Sequence, residues 1–474
     1  MLGLVFLLDI ASFLLCVIML VRTKELTFFH PATLYLIFHG AVITTRLLAL
    51  NAGAPTLFDE ARFLRSGFMP VTYDEIARAT IYADIALFMS TIAFIVAGMV
   101  HKNRQLGSKQ PQKSQFDTPI KKGLFLNIMY VAFVIGVFGI IFVGYLPGTD
   151  TRLIDSIAVS EWRDSSWIFI TQSWMGVALI GMIYIHGFRR GLVILMILFL
   201  GIQLYQGFHR FRFVLPLILL LYIYLKHRGY LWPPRWAISL AIVLAVLFLP
   251  AKTIGRMMQA GYPINVIAEE TISYIVNLPT KSTSDLVFLD QFAMGLTLID
   301  ENGQFYYGTT YLPLLTLPIP RQIWPDKPEL AFFMSDISTA SRPLSRLGTI
   351  VTYLGESYAN FGFLGIIFVP YIFSYLIGRL YFTLKDKPIE SVSMLLYLMI
   401  LTTLLQVYRD GLISLVMFTI VNFMPLSVAI GLHFIRWKPY AIQPAGVGTA
   451  KVEPFVNHIS RDRQDDAAPS GTNH

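Results

Sequence analysis

LGLVFLLDIASFLLCVIMLV, Leu2 to Val21, is an unbroken run of 20 largely apolar residues. A helix rising about 1.5 Å per residue needs about 20 such residues to cross a hydrocarbon core of about 30 Å. No basic leader precedes the run and no small-residue cleavage pattern follows it, so it reads as a retained helix and not as a signal peptide. Working outward, the same length rule finds about eleven spans, near 2–21, 31–50, 79–100, 123–146, 166–186, 191–207, 211–226, 236–251, 361–382, 391–407 and 412–435.

The composition points the same way. Hydrophobic residues make up 55% of the chain, charged residues 14%, and the mean hydropathy is +0.61. These values lie outside the soluble globular range. The expected fold is an all-α polytopic membrane protein. One transmembrane domain covers 1–438 and includes a long polar loop at 251–348. A polar tail at 439–474 is expected to be cytoplasmic and disordered. The single cysteine, Cys16, excludes a disulfide framework and any multi-cysteine metal site. No fixed-period repeat is present, which weighs against a transporter built from two matching halves.

The net charge of +8 reports topology here and not a nucleic-acid partner, because the basic residues fall mostly in short loops. Lys102, Arg104, Lys109, Lys113, Lys121 and Lys122 share one loop. Arg189 with Arg190, then Lys226, Arg228 and Arg235, then Lys385 and Lys387, then Arg436 and Lys438, lie in loops of the same parity. Positive-inside bias places these loops in the cytoplasm, the amino terminus outside and the carboxyl terminus inside. The loop 251–348 then faces out. The external segment 51–79 reads as a short interfacial helix or cap.

The chemistry-bearing residues gather on that outer side. Gly308 to Glu329 reads GTTYLPLLTLPIPRQIWPDKPE, and five prolines forbid a helix through it. They hold Arg321, Asp326 and Lys327 beside Trp324. Such a loop suits an anionic headgroup, or serves as a plug on the helix ends. QLYQGFHRFR, Gln203 to Arg212, joins two short apolar segments and sets His209, Arg210 and Arg212 at a turn sunk towards the bilayer. Paired guanidinium forks match phosphate oxygens and stay charged; the alternative is that they snorkel to lipid headgroups. Arg409 lies in the last external turn, YRDG, where it joins the same anion site or pairs locally with Asp410. Glu356, in YLGESYANFGFLG, enters a span; a carboxylate there acts as a base or as an arginine's partner. Ser357, Tyr358 and Asn360 beside it can hydrogen-bond a sugar, and Gly362 permits a tight bend. His209 is a second candidate base, against a packing role. His30 and His39 lie in or near the second span. No HExxH, P-loop or dinucleotide fingerprint occurs, so neither a metal nor a nucleotide cofactor is expected.

Three features in order, the GFHRFRF turn, the loop ending YGTTYLPLLTLPIPRQIWPDKP, and the GESYANFG entry with its late YRDG turn, resemble the bacterial oligosaccharide repeat-unit polymerases, the Wzy-type O-antigen polymerases. The resemblance covers about residues 190–430, and PRQIWPDKP is its most specific part. It implies a metal-independent glycosyltransferase of the GT-C type in the inner membrane. Such an enzyme moves a growing glycan from one undecaprenyl pyrophosphate onto another lipid-linked repeat at the periplasmic face. On this reading Arg210, Arg212, Arg321, Lys327 and Arg409 bind the pyrophosphate, and Trp324, Tyr358 and Asn360 contact sugar. Glu356, with His209 and Asp326 behind it, is the base. The expected partners are the lipid-linked substrate and membrane lipids; a chain-length regulator is left open. An O-antigen ligase and a flippase or exporter of the lipid-linked repeat are the rival readings.

Overall fold

The computed structural model describes residues 1–59, 64–65, 67–107, 119–145, 166–206, 211–248, 250, 254–255, 257–258, 260–276, 287–316, 319, 324, 326, 333–342 and 352–434. The expected tail at 439–474 lies outside them. Among the described residues the regular structure is helical, apart from an isolated bridge between Pro119 and Ser391. The helices are α1 (Leu2–Arg22), α2 (Pro31–His39), α3 (Thr45–Asn51), α4 (Tyr73–Gly107), α5 (Lys122–Tyr145), α6 (Ser166–His186), α7 (Arg190–Gln206), α8 (Phe211–Arg228) and α9 (Arg235–Phe248). They continue as α10 (Ile264–Val276), α11 (Phe288–Asn302), α12 (Leu312–Thr316), α13 (Phe333–Asp336), α14 (Tyr353–Leu384), α15 (Val392–Asp410), α16 (Ile413–Val416) and α17 (Met424–Phe434). A π-turn at Gly40–Thr44 joins α2 to α3 as one span, and a second at Met417–Asn422 joins α16 towards α17.

Six of these units are long and apolar enough to cross a membrane: α1, α2 with α3, α4, α5, α14 and α15. The chain is a multi-pass membrane protein. The span expected at 412–435 is a bent pair, with an 81° turn between its two halves. The described parts of α6 and α7 are apolar but shorter, and α9 has only 14 residues. The six long spans among the described residues, or seven with the bent pair, compare with about eleven expected by length.

α4 is the hub. It runs 35 residues, longer than the expected 79–100 span, and lies along α14, α1 and α11. Ala79, Ala83, Ala86, Ala93 and Ala97 are all fully buried on it. Hydrocarbon offers no hydrophobic drive between helices, so close packing of small residues does the work. A Cβ on Gly98 would press on the Phe382 ring, and one on Gly378 would meet Ala97 and Phe94. α5 and α6 approach equally closely, since a Cβ on Gly136 would run into the Met175 backbone.

Two faces separate. On one, the basic loops are tied together. Lys385 donates to Glu25 Oε2 at 2.6 Å, Lys102 stands 3.6 Å from Glu25 Oε1, Lys226 donates to the Lys385 carbonyl at 2.9 Å, and Ile120 N–H donates to the Glu390 carbonyl at 3.0 Å. Partial burial pushes the Glu25 carboxyl up, but Lys385 and then Lys102 outweigh it and hold the group below the usual carboxylate range. On the opposite face, the segment 51–73 meets the 287–342 region. Met69 N–H donates to the Ser341 carbonyl at 3.1 Å and Arg342 donates to Glu75 Oε1 at 2.7 Å.

That second region is more than a polar loop. α11 is an amphipathic helix with 11 buried residues in 15, seated by Arg46. The Arg46 guanidinium grips Asp290 through two bonds of 2.7 and 2.8 Å, and Asp290 also accepts the Leu57 N–H at 2.9 Å. The proline-rich stretch opens with a 3₁₀ turn at Thr309–Tyr311 and the short α12. No helix longer than α12 is described in the stretch, most of which beyond Thr316 lies outside the described residues. Pro313 falls in the first turn of α12, where its missing N–H costs nothing.

Candidate functional site

The site grows from a defect in α14. Its first two turns end at Phe361 and Gly362, whose backbone angles are non-helical, with Gly362 at φ 57° and ψ −144°. Only glycine enters that region readily, so the bend expected at Gly362 is present, although the helix begins at Tyr353, well before the expected 361. The kink frees two carbonyls from the helical ladder. Those of Ala359 and Asn360 accept from the N–H groups of Tyr306 and Tyr307, each at 3.0 Å.

Asn360 locks this junction. It is fully buried, its Oδ1 accepts the Gly308 N–H at 2.8 Å, and its Nδ2 donates to Thr310 Oγ1 at 2.6 Å and to the Glu356 carbonyl at 2.8 Å. Its side chain therefore ties the GTTY segment to the GESYANFG helix. Tyr358 donates to Asp300 Oδ1 at 2.6 Å, while Asp300 Oδ2 accepts from Arg78, also at 2.6 Å. Tyr306 donates to Asp336 at 3.3 Å; burial and that carboxylate push its hydroxyl up to about 12.

Glu356 joins this helix to the YRDG turn. Its side chain is buried, and Oε2 accepts the Leu412 N–H at 2.8 Å. Gly411 makes the approach possible. It sits at φ 97°, and a Cβ there would collide with Glu356 Oε2. Arg409 lies two residues back. Its guanidinium lies 5.1 Å from the centre of the Phe288 ring, and its Nε faces Asp410 Oδ1 at 3.5 Å without making a hydrogen bond. The Arg409 side chain is a third exposed, so a guanidinium edge is available near the turn that Glu356 holds.

An apolar cavity opens beneath this junction. Phe288, Phe292, Thr352, Tyr353, Tyr408 and His39 line it. Among the described residues the buried hydroxyls of Tyr353 and Tyr408 have no hydrogen-bond partner, and the two rings stand 6.3 Å apart.

Of the residues singled out in the sequence, the fold brings Glu356, Tyr358, Asn360 and Arg409 into one neighbourhood. Asp326 and Trp324 stand at the surface, Trp324 with 39% of its area exposed. Arg212 falls in the first turn of α8, and only its backbone is described. His209, Arg210, Arg321 and Lys327 lie outside the described residues. Sequence reasoning passed over the ion pairs that the spans make. Arg46 and Arg78 pair with Asp290 and Asp300 on α11, the latter also holding Tyr358, and Asp9, His39 and Asp84 group together between α1, α2 and α4. The available signal was a single ionisable residue inside an otherwise apolar run, which is costly unless it is partnered.

Comparison with protein-family models, curated proteins and solved structures finds no match to this chain.

Proposed function

We propose that the chain is a polymerase of lipid-linked oligosaccharide repeat units, working at the periplasmic face of a bacterial inner membrane. One observation supports this above the rest. Glu356 seats on the Gly411–Leu412 turn beside Arg409, while Asn360 binds the GTTY segment, so three stretches of the family resemblance meet in space.

The chemistry follows from the groups present. The acceptor sugar hydroxyl attacks the anomeric carbon of the donor glycan. A new glycosidic bond forms as the bond to the lipid pyrophosphate breaks. Negative charge builds on the departing pyrophosphate, and fixed guanidinium groups stabilise it. Arg409, with Arg210, Arg212 and Arg321, takes that role, and Lys327 adds a weaker point charge. The acceptor's proton passes to Glu356. Grooves between the apolar helices hold the polyprenyl tails. About eleven membrane passes with the amino terminus outside put this face in the periplasm.

Deleting the gene in its host and comparing surface polysaccharide with the lipid-linked pool tests the reading. A surface ladder reduced to core plus one repeat supports it. Long lipid-linked chains that never reach the surface mean a ligase, and single repeats held on the cytoplasmic side mean a flippase. Complementation then tests the site. Arg210→Ala, Arg321→Ala and Arg409→Ala each abolish long chains with the protein still inserted, and lysine at Arg210 restores little. Glu356→Gln slows polymerisation by about 10²- to 10⁴-fold. Normal ladders from these variants overturn the assignment.

A further inference from the structure

A polar cluster on α1, α2 and α4 plays no part in the proposed reaction. Asp9 lies about 10 Å along α1 at 1.5 Å per residue. His39 ends α2, immediately before the π-turn, and Asp84 lies on α4. Asp9 and His39 are 0% and 2% exposed, and the Asp84 side chain 12%. His39 Nε2 stands 2.8 Å from Asp9 Oδ1 and 3.4 Å from Asp84 Oδ1. One donor atom from each residue lies within 4.8 Å of the others.

We infer that Asp9, His39 and Asp84 bind a divalent transition-metal ion of the Mn²⁺ or Zn²⁺ class inside the membrane domain. Charge is the first argument. Among the described residues no lysine or arginine pairs with either aspartate. With the imidazole neutral and both carboxylates ionised, the form that binds a metal, the set would carry −2, which a dication neutralises.

Geometry is the second. The one nitrogen faces two carboxylates, and a single N–H hydrogen serves only the 2.8 Å leg. Among the described residues, neither Asp84 Oδ1 nor the fully buried Asp9 Oδ2 makes a hydrogen bond of normal geometry. An ion at the centre of the three engages every group at once. Small side-chain moves bring the donors onto bonds of about 2.0–2.2 Å. One nitrogen with two hard oxygens suits Mn²⁺, Fe²⁺ or Zn²⁺ and not a soft ion such as Cu(I).

The backbone supplies the third argument. π-turns occur often at functional sites, and this one begins at the residue after His39. Phe13 stacks on the imidazole, with centroids 6.2 Å apart, and sets its plane. The cavity that reaches Tyr353 and Tyr408 has His39 and Ala83, the neighbour of Asp84, in its wall. The cavity therefore touches the cluster through His39. The inference goes beyond the polymerase reading and stands without it.

A metal count on the full-length protein tests this. The protein is purified on a histidine-free tag, stripped with chelator, reloaded with Mn²⁺ or Zn²⁺, and desalted. The wild type retains about one ion per chain, and its melting temperature rises on loading. Asp9→Asn and Asp84→Asn each lower retention about tenfold or more and abolish the thermal shift. Asp84→Cys keeps a donor and moves the preference from Mn²⁺ towards Cd²⁺, which holds even if an amide variant misfolds. Equal retention by wild type and both amide variants means surface binding only and overturns the proposal. Negligible retention by the wild type overturns it too. So does a melting temperature that ignores metal and chelator but shifts with pH in wild type and not in Asp84→Asn, because the cluster then shares a proton.

Discussion

At the scale of single residues, Gly411 and Glu356 are one device. The turn after α15 needs φ near 97°, a region essentially reserved for glycine, and the carboxylate fills the space that any side chain there would take. Gly411→Ala is expected to destabilise the protein by about 1–3 kcal/mol from backbone strain alone, measured by unfolding in detergent. Repeating it in a Glu356→Ala background separates the terms. The cost falls because the clash is gone, and only the strain remains. An unchanged cost would show that the carboxylate does not sit on this turn in solution. Glu356 and Gly411 were each visible in the sequence as candidates. Their contact was not, since the Glu356 carboxylate and the Leu412 N–H are 56 residues apart.

At the scale of elements, α1 and α11 show two kinds of attachment. α1 buries Val5, Asp9, Cys16 and Leu20, one narrow stripe at helical spacing, and leaves the rest of its surface for lipid. α11 buries most of its circumference and is held by Arg46 on the neighbouring span. Asp290→Ala leaves that guanidinium buried and unpaired, and is expected to cost about 3–5 kcal/mol. The double variant Arg46→Met with Asp290→Leu recovers most of the loss, because the desolvated charge goes too. The loops of the basic face are held by charge as well, through Glu25. Its lowered pKa contributes stability that is present above the unfolded-state value of about 4.3 and lost as the pH falls through the folded value. The gap in melting temperature between wild type and Glu25→Gln therefore holds from neutral pH down to about 4.3 and closes only as the pH falls below it, through the folded value. A gap that stays constant would show that the lysines do not act on this carboxylate. The length rule read α4 and α14 too short because it scored only their most apolar windows, whereas both helices run on into polar ends. It read 412–435 as a span without its break, because a π-turn and an 81° bend leave no mark on mean hydropathy.

At the scale of the whole molecule, the lone native thiol, Cys16, is buried, so single introduced cysteines report sidedness cleanly. Gln304→Cys, exposed two residues past the end of α11, should react with a membrane-impermeant maleimide in cells whose inner membrane is intact. Asp386→Cys, between Lys385 and Lys387, should react only after that membrane is opened. The reverse pattern would turn the topology over and move the proposed site to the cytoplasm. The sequence by itself determined that the chain is a helical membrane protein, and which basic loops share a face. Backbone groups in hydrocarbon must be satisfied within their own segment, so run length and loop charge are local properties that any reader of the chain can see. Only the tertiary structure decided that Arg46 meets Asp290, that Glu356 meets the Leu412 amide, and that Asp9, His39 and Asp84 converge. Arg46 and Asp290 lie 244 positions apart, and no local periodicity records which helices will pack. A charge within an apolar run announces that it needs a partner, and the packing of alanine and glycine faces around α4 chooses which partner it finds.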